Sequence, residues 1–133
     1  MHSGDRNFLA RAAVRSAMPL QRTSFASIED IRRNAGTTVL YKHSPTCSLC
    51  SWSIREVQQF AEQQGVDVHL IDVFAHRPLA QAIEADLGVR HESPQVLIIE
   101  DGAVRWHASH RALTAKRLQA ALAGDHSNSG ARW

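Results

Sequence analysis

At 133 residues, with 44% hydrophobic and 21% charged residues, the chain has the composition of one soluble globular domain and is too short for two. Its net charge of +2 comes without a basic cluster, which argues against nucleic-acid binding, and no run approaches the ~18 apolar residues of a membrane span. Cys47 and Cys50 are the only cysteines, so the chain is not a disulfide-stapled scaffold; in the cytoplasm, the default compartment here, such a close pair points to redox or metal chemistry.

Residues 1–19 carry Arg6, Arg11 and Arg15 and end at Met18-Pro19. They read as a flexible or non-native extension, too often interrupted by arginine to be a secretory apolar segment. The ordered domain is expected over residues 20–123. Ser27 with Asp30 predicts a capping-box helix start, with Ile28 and Ile31 on its apolar edge and Gly36 at its end. Thr37-Thr38-Val39-Leu40-Tyr41 is β-branched and apolar, the composition of a strand covered on both faces.

After Cys47 the period changes. Cys50, Ile54, Val57 and Ala61 recur at three and four, with Phe60 beside them, which predicts a helix ended by Gly65. Val66 to Val73 predicts the next strand. Pro78, Leu79, Ile83, Leu87 and Gly88 then mark a second helix from its first turn to its end. Gln95 to Ile99 predicts a strand, Asp101-Gly102 a tight turn, and Val104, Trp106 and Ala108 an alternating return strand. Thr114 can cap a last helix with Leu118, Ala121 and Leu122 inward, and residues 124–133 read as a flexible polar tail.

This order, strand–helix–strand followed by a hairpin and a helix, is the thioredoxin arrangement. The expected fold is α/β, with a central mixed sheet of four or five strands flanked by helices and a cis-proline loop facing the cysteines. Cys47 then sits at a helix N-terminus, where unpaired N–H groups and the macrodipole stabilise a thiolate. Lys42 and His43 can add a smaller positive potential, and Pro45 restricts the loop before Cys47. Cys50, one turn deeper, suits a resolving role after Cys47 has taken up a mixed disulfide. Ser93-Pro94 supplies the cis-proline loop, and Thr46, Ser93 and Pro94 are the expected substrate contacts.

Metal binding is the competing chemistry. Zinc wants four ligands, whereas this chain offers two thiolates and scattered histidines, so no metal site is assigned. Trp52 is read as packing at a helix edge.

Three separated segments carry a family resemblance: Tyr41-Lys42-His43-Ser44 before Cys47, His91-Glu92-Ser93-Pro94-Gln95, and Trp106-His107-Ala108-Ser109-His110. Together they resemble the bacilliredoxin family, in its small single-domain branch described as monothiol, over roughly Leu20 to Leu122. The resemblance implies a thioredoxin fold and removal of bacillithiol from mixed disulfides on proteins, with Cys47 as nucleophile and Pro94 as the cis proline. The sequence departs from that branch at Cys50, where a serine is common. A monothiol enzyme depends on a second small thiol for release, whereas a dithiol pair can release itself. Tyr41 stands roughly where thioredoxins carry a buried acid, so their proton relay is not visible here.

The expected activity is that of a cytoplasmic thiol–disulfide oxidoreductase acting on protein disulfides or on mixed disulfides with a low-molecular-weight thiol. It needs no cofactor beyond the redox-active Cys47–Cys50 pair, with a small thiol as co-substrate. Its expected partners are S-thiolated proteins, the small thiol and an upstream reductase or thiol donor, with neither nucleic acid nor membrane, and the chain is expected as a monomer or weak dimer. The alternative is a non-catalytic binding module of the same fold, or a protein that holds a metal or cluster on Cys-X-X-Cys.

Overall fold

The structure, a computed structural model, describes residues 18–133. Its elements in chain order are β1 (Leu20–Arg22), α1 (Ile28–Arg33), β2 (Thr37–His43), α2 (Ser48–Gln64), β3 (Val68–Asp72), α3 (Arg77–Leu87), β4 (Gln95–Glu100), β5 (Ala103–Ser109), a 3-10 turn (His110–Ala112) and α4 (Ala115–Leu122). The sheet order is β1-β3-β2-β4-β5, with β1, β3 and β2 parallel and β4 antiparallel to both β2 and β5.

Burial on both faces explains why Val39–Tyr41 of β2 and Val96–Ile99 of β4 are continuous apolar runs. On one face Val39, Tyr41, Val96 and Ile98 pack with Val57 and Phe60 of α2 and Leu118 of α4. On the other, Leu40, Leu97 and Ile99 pack with Ile31 of α1 and Ile83 of α3. Each such aliphatic side chain contributes about 1.5–3 kcal/mol by leaving water, so the two central strands are the most firmly held part of the molecule. The crossover through α2 places the end of β2 beside the end of β3, with His43 opposite Asp72. The antiparallel pairing brings the start of β4 to that same end, with Lys42 opposite Gln95. The loops after β2, after β3 and before β4 therefore meet at one end of the sheet.

The turn chemistry follows the sequence. Gly65 and Gly88 close α2 and α3 at φ of 63° and 71°. At the β4–β5 turn, Gly102 has φ +86°, and an added Cβ would meet the Arg32 carbonyl oxygen at 2.9 Å, so both conformation and space demand glycine there. The Thr114 hydroxyl accepts from Arg117 N and caps α4. Among the described residues no helix is long and apolar enough to cross a membrane.

Several expectations change. The N-terminal extension expected over residues 1–19 falls, for residues 1–17, outside the described residues. Pro19, at its end, is buried and its carbonyl accepts from Val68 N at 2.7 Å, leading directly into β1. Gly36 does not end α1. Asn34 is the C-cap, and Gly36, at φ 78°, donates its N–H to Asp101 Oδ1 at 2.7 Å. The alternation on β5 is broken, because Ile98 pairs with Trp106 and Ile99 with Val104, passing over Arg105. Trp106 and Ala108 consequently face α2 and α4, while Val104 packs on the opposite side of the sheet.

The C-terminal segment is not a free tail. Ala131 forms a parallel bridge with Ala108, and Ser109 N donates to Ala131 O at 2.7 Å. Arg132 pairs with Glu92 at 3.3 Å, and Arg117 lies 3.2 Å over the Trp133 ring. The segment covers part of the open edge of β5 with backbone hydrogen bonds, which a polar composition does not reveal.

Candidate active site

Ser44 to Cys47 forms a turn in which Cys47 N donates to Ser44 O at 3.2 Å. Pro45 occupies its second position, where a fixed φ favours the bend, and Pro45 and Thr46 are both exposed at the rim. The Ser44 and Thr46 hydroxyls lie 3.2 Å apart across the turn. The turn delivers Cys47 as the N-cap of α2 in an extended conformation, φ −95° and ψ 121°.

The two cysteines, one turn apart on α2, meet different surroundings. Cys47 is partly exposed, and its thiol is held below the ordinary value chiefly by the backbone N–H of Cys50, opposed by partial desolvation and aided by the N–H of Leu49 and the Cys50 side chain. Cys50 is fully buried, and burial pushes its thiol up despite a hydrogen bond from Ser44 N at 3.4 Å and a contact with Ser93 Oγ at 3.7 Å. Both are free thiols. The disulfide that their spacing allows is not formed, and the sulfurs do not stand at disulfide distance, because Cys50 is turned inward onto Ser44 and Ser93.

Ser93 and Pro94 enter from the start of β4. Their peptide bond is cis, and the Pro94 carbonyl accepts from His110 N at 3.0 Å, which ties this loop to the 3-10 turn after β5. Glu92 is held by Arg132 of the docked C-terminal segment. The structure thus brings Cys47, Cys50, Thr46, Pro45, Ser93 and Pro94 to one end of the sheet.

The two residues expected to supply positive potential do something else. Lys42 is fully buried, and its Nζ lies 3.2 Å from His91 Nδ1. It shares the sheet face of Leu40, away from Tyr41 and His43, and burial lowers its pKa to about 8 against the opposing pull of Glu84 and Glu92. His43 Nδ1 lies 3.0 Å from the Tyr41 hydroxyl, and its pKa is lowered by burial with Asp72 working against the shift. Backbone amides, rather than Lys42 or His43, account for the acidity of Cys47.

Ser44, Tyr41 and Ser53 carry no role in the sequence reading. Ser44 donates its backbone N–H to Cys50, a contact with no signature in side-chain pattern. Tyr41 is fully buried with its hydroxyl 2.7 Å from Ser53 Oγ, and Ser53 in turn donates to the Cys50 carbonyl at 3.3 Å. Ser53, three residues after Cys50 on the buried face of α2, was findable as a polar residue inside an apolar stripe. Asp72 accepts from Phe74 N and Ala75 N and pairs with Arg22 at 3.8 Å, so it closes the turn after β3. Trp52 is half-buried on α2. Among the described residues, no three His, Cys, Asp or Glu side chains come together as a metal site would require.

A parallel β–α–β unit extended by an antiparallel hairpin, with two thiols at the first helix of that unit and a cis proline opposite, defines a thioredoxin-fold protein. The fold is shared with a protein provisionally described as an oxidoreductase with a thioredoxin fold, at 23% identity, TM-score 0.68, and 80% of this chain against 92% of that one. It is shared as well with the reduced desulfothioredoxin of Desulfovibrio vulgaris Hildenborough (22% identity, TM-score 0.62, covering 83% and 99% of the two chains). Oxidised mitochondrial thioredoxin 3 of Saccharomyces cerevisiae is similar at 13% identity and TM-score 0.60, covering 77% and 93%. Residues 21–118 match the monothiol bacilliredoxin BrxC family, and the chain belongs to that family. Family and fold together support a role in thiol redox chemistry.

Proposed function

We propose that this chain is a thiol–disulfide oxidoreductase that removes a low-molecular-weight thiol from protein mixed disulfides, with Cys47 attacking and Cys50 resolving. The observation that carries the reading is the asymmetry of the pair: Cys47 is partly exposed and acidified by helix amides, while Cys50 is buried and kept protonated. Cys47 thiolate attacks the sulfur of the small thiol, the protein thiolate leaves, and a Cys47–small-thiol disulfide forms. Cys50 then attacks the Cys47 sulfur and expels the small thiol, leaving a Cys47–Cys50 disulfide for an upstream reductase or thiol donor to reduce. Thr46, Ser93 and Pro94 line the approach to Cys47, and Ser93 offers an extended substrate its backbone.

The chemistry needs two thiols and a thiol donor and no further cofactor. It belongs in a reducing compartment, the cytoplasm, and acts on soluble S-thiolated proteins; a monomer suffices, since both cysteines come from one chain. The family's description as monothiol favours a second route, in which another small thiol frees Cys47 and Cys50 is bypassed.

De-thiolation of a protein carrying bacillithiol, glutathione or mycothiol separates the routes. Cys47→Ser is expected to fall to background with every substrate. Cys50→Ser is expected to accumulate a mixed disulfide on Cys47, visible by intact mass, and to turn over only with free small thiol. A Cys50→Ser protein indistinguishable from wild type without added thiol would remove the resolving role.

A further inference from the structure

The loop that carries Ser93 and Pro94 is fixed almost residue by residue. The Arg90 carbonyl accepts from Gln95 Nε2 at 3.0 Å, and His91 N donates to Glu84 Oε2 at 2.6 Å. Glu92 pairs with Arg132 at 3.3 Å, and the Pro94 carbonyl accepts from His110 N at 3.0 Å. Ser93 keeps its backbone groups unpaired among the described residues, which is what strand-like docking of an extended substrate requires. One further tie comes from the interior. Lys42 Nζ lies 3.2 Å from His91 Nδ1, with Lys42 fully buried and His91 exposed.

We propose that Lys42 and His91 form a latch that holds the Ser93–Pro94 loop in its substrate-binding conformation, and that protonation of His91 opens it. The inference rests on the reading that a protein mixed disulfide docks on the Ser93 backbone. Both are positioning residues, acting on the substrate through the loop and not on the sulfurs.

Donor and acceptor are fixed by the chemistry. An ammonium has three N–H donors and no lone pair, so His91 Nδ1 accepts and the ring carries its hydrogen on Nε2. Among the described residues no carboxylate stands within ion-pair distance of Lys42, so His91 is the group that replaces its lost hydration. Burial lowers Lys42 only to about 8, which leaves it protonated at neutral pH. Burial also lowers His91, aided by the Lys42 charge, so its imidazole is neutral there and free to accept.

The surroundings make this contact sensitive to one proton. Glu84 of α3 and Glu92 of the loop draw both groups towards their charged forms, and Arg132 offsets Glu92. Arg77 of α3 lines, with Glu84 and His91, a cavity of about 370 Å³. From β5, His107 faces the Lys42 charge, and burial favours its neutral form. When His91 gains a proton it loses the acceptor at Nδ1 and sets a second cation against the buried ammonium. The contact then turns from attractive to repulsive. Apparent substrate affinity falls with the fraction of molecules whose loop stays in the binding conformation.

A ratio of two second-order rate constants reads the latch: de-thiolation of the mixed-disulfide protein that wild type handles fastest, over reduction of Ellman's reagent, which needs no extended docking. Both reactions use the Cys47 thiolate, so its ionisation cancels. The wild-type ratio is expected to fall about ten-fold as pH drops through the titration of His91, which lies below the ordinary histidine range. At pH 7, Lys42→Met and His91→Leu are each expected to lower the ratio about ten-fold, the scale of a hydrogen bond to a charged group. His91→Asn supplies an acceptor oxygen in place of Nδ1 that cannot titrate. It should keep the wild-type ratio at pH 7 and lose the fall at acid pH. The wild-type profile and His91→Asn carry the test if Lys42→Met or His91→Leu fails to fold.

Unchanged ratios in Lys42→Met and His91→Leu, or an acid fall that persists in His91→Asn, overturn the latch while leaving docking at Ser93 intact. A ratio as low in His91→Asn as in His91→Leu at pH 7 also overturns it, since any change of side chain would then do the same. A wild type that de-thiolates none of the bacillithiol, glutathione and mycothiol proteins overturns the latch together with the reading on which it rests.

Discussion

Cys47 and Cys50 share one turn of one helix, yet the protein treats them in opposite ways. Cys47 stands at the first turn, where backbone N–H groups have no helical partner and point at the sulfur. Cys50 stands one turn further in, walled by Ser44 and Ser93, where removal from water outweighs the hydrogen bonds it receives. Depth along the helix, not the charge of neighbouring side chains, separates an attacking thiol from a waiting one. Lys42 makes the same point from the other direction, since a cation four residues before Thr46 in sequence is spent on His91 across the sheet.

Removing that cation sharpens the contrast and carries the larger effect. Burial lowers Lys42 to about 8 from an ordinary 10.5, so the unfolded chain binds more protons than the folded one between those values. Stability attributable to this group therefore rises with pH through the window from 8 towards 10.5, by about 3 kcal/mol from the size of the shift. Denaturant unfolding across this range should show Lys42→Met losing that rise relative to wild type, with the reactivity of both thiols unchanged. A weaker Cys47 in Lys42→Met would mean that side-chain charge matters after all.

Ser93→Ala removes a side-chain contact to the inner thiol, keeps the backbone groups offered to an extended substrate, and should have a smaller effect. Losing the contact at 3.7 Å removes one influence that lowers the Cys50 thiol. A hydrogen bond of about 1 kcal/mol corresponds to roughly five-fold; with Ellman's reagent, attack by Cys47 releases a first thionitrobenzoate and resolution by Cys50 a second, so the second release should slow by about that factor while the first keeps its rate. Equal slowing of both would show that the two environments are not separable.

How much of this the chain discloses depends on the kind of interaction involved. The central strands and α2 were legible because burial writes itself into apolar runs and three-four spacing, as in Val39 to Tyr41 and in Val57, Phe60 and Ala61. β1 was not, since three residues carry no period, and its hold comes from parallel pairing with Val68 to Leu70. The bulge at Arg105 was equally hidden, and it sends Val104 to the opposite face from Trp106. The C-terminal segment is held by main-chain bonds to β5 and by Arg132 on Glu92, neither of which composition encodes.

The site divides along the same line. Cys-X-X-Cys before a helix and Ser-Pro before a strand are local patterns, and both segments meet at one end of the sheet. The Ser44 amide and the Tyr41–His43–Ser53 cluster are contacts between elements, visible only once β2 is laid against α2. The same docking takes Lys42 away from the thiols, because alternate residues of a strand face opposite sides.

Site-resolved alkylation tests the central claim most directly. Reduced protein is treated with iodoacetamide across pH, and peptide mass spectrometry assigns the modified cysteine. Cys47 should react first, with a midpoint below that of free cysteine, and Cys50 only at higher pH, with a midpoint above it. A Cys47 midpoint at or above the free value, or modification of Cys50 before Cys47, would contradict the account.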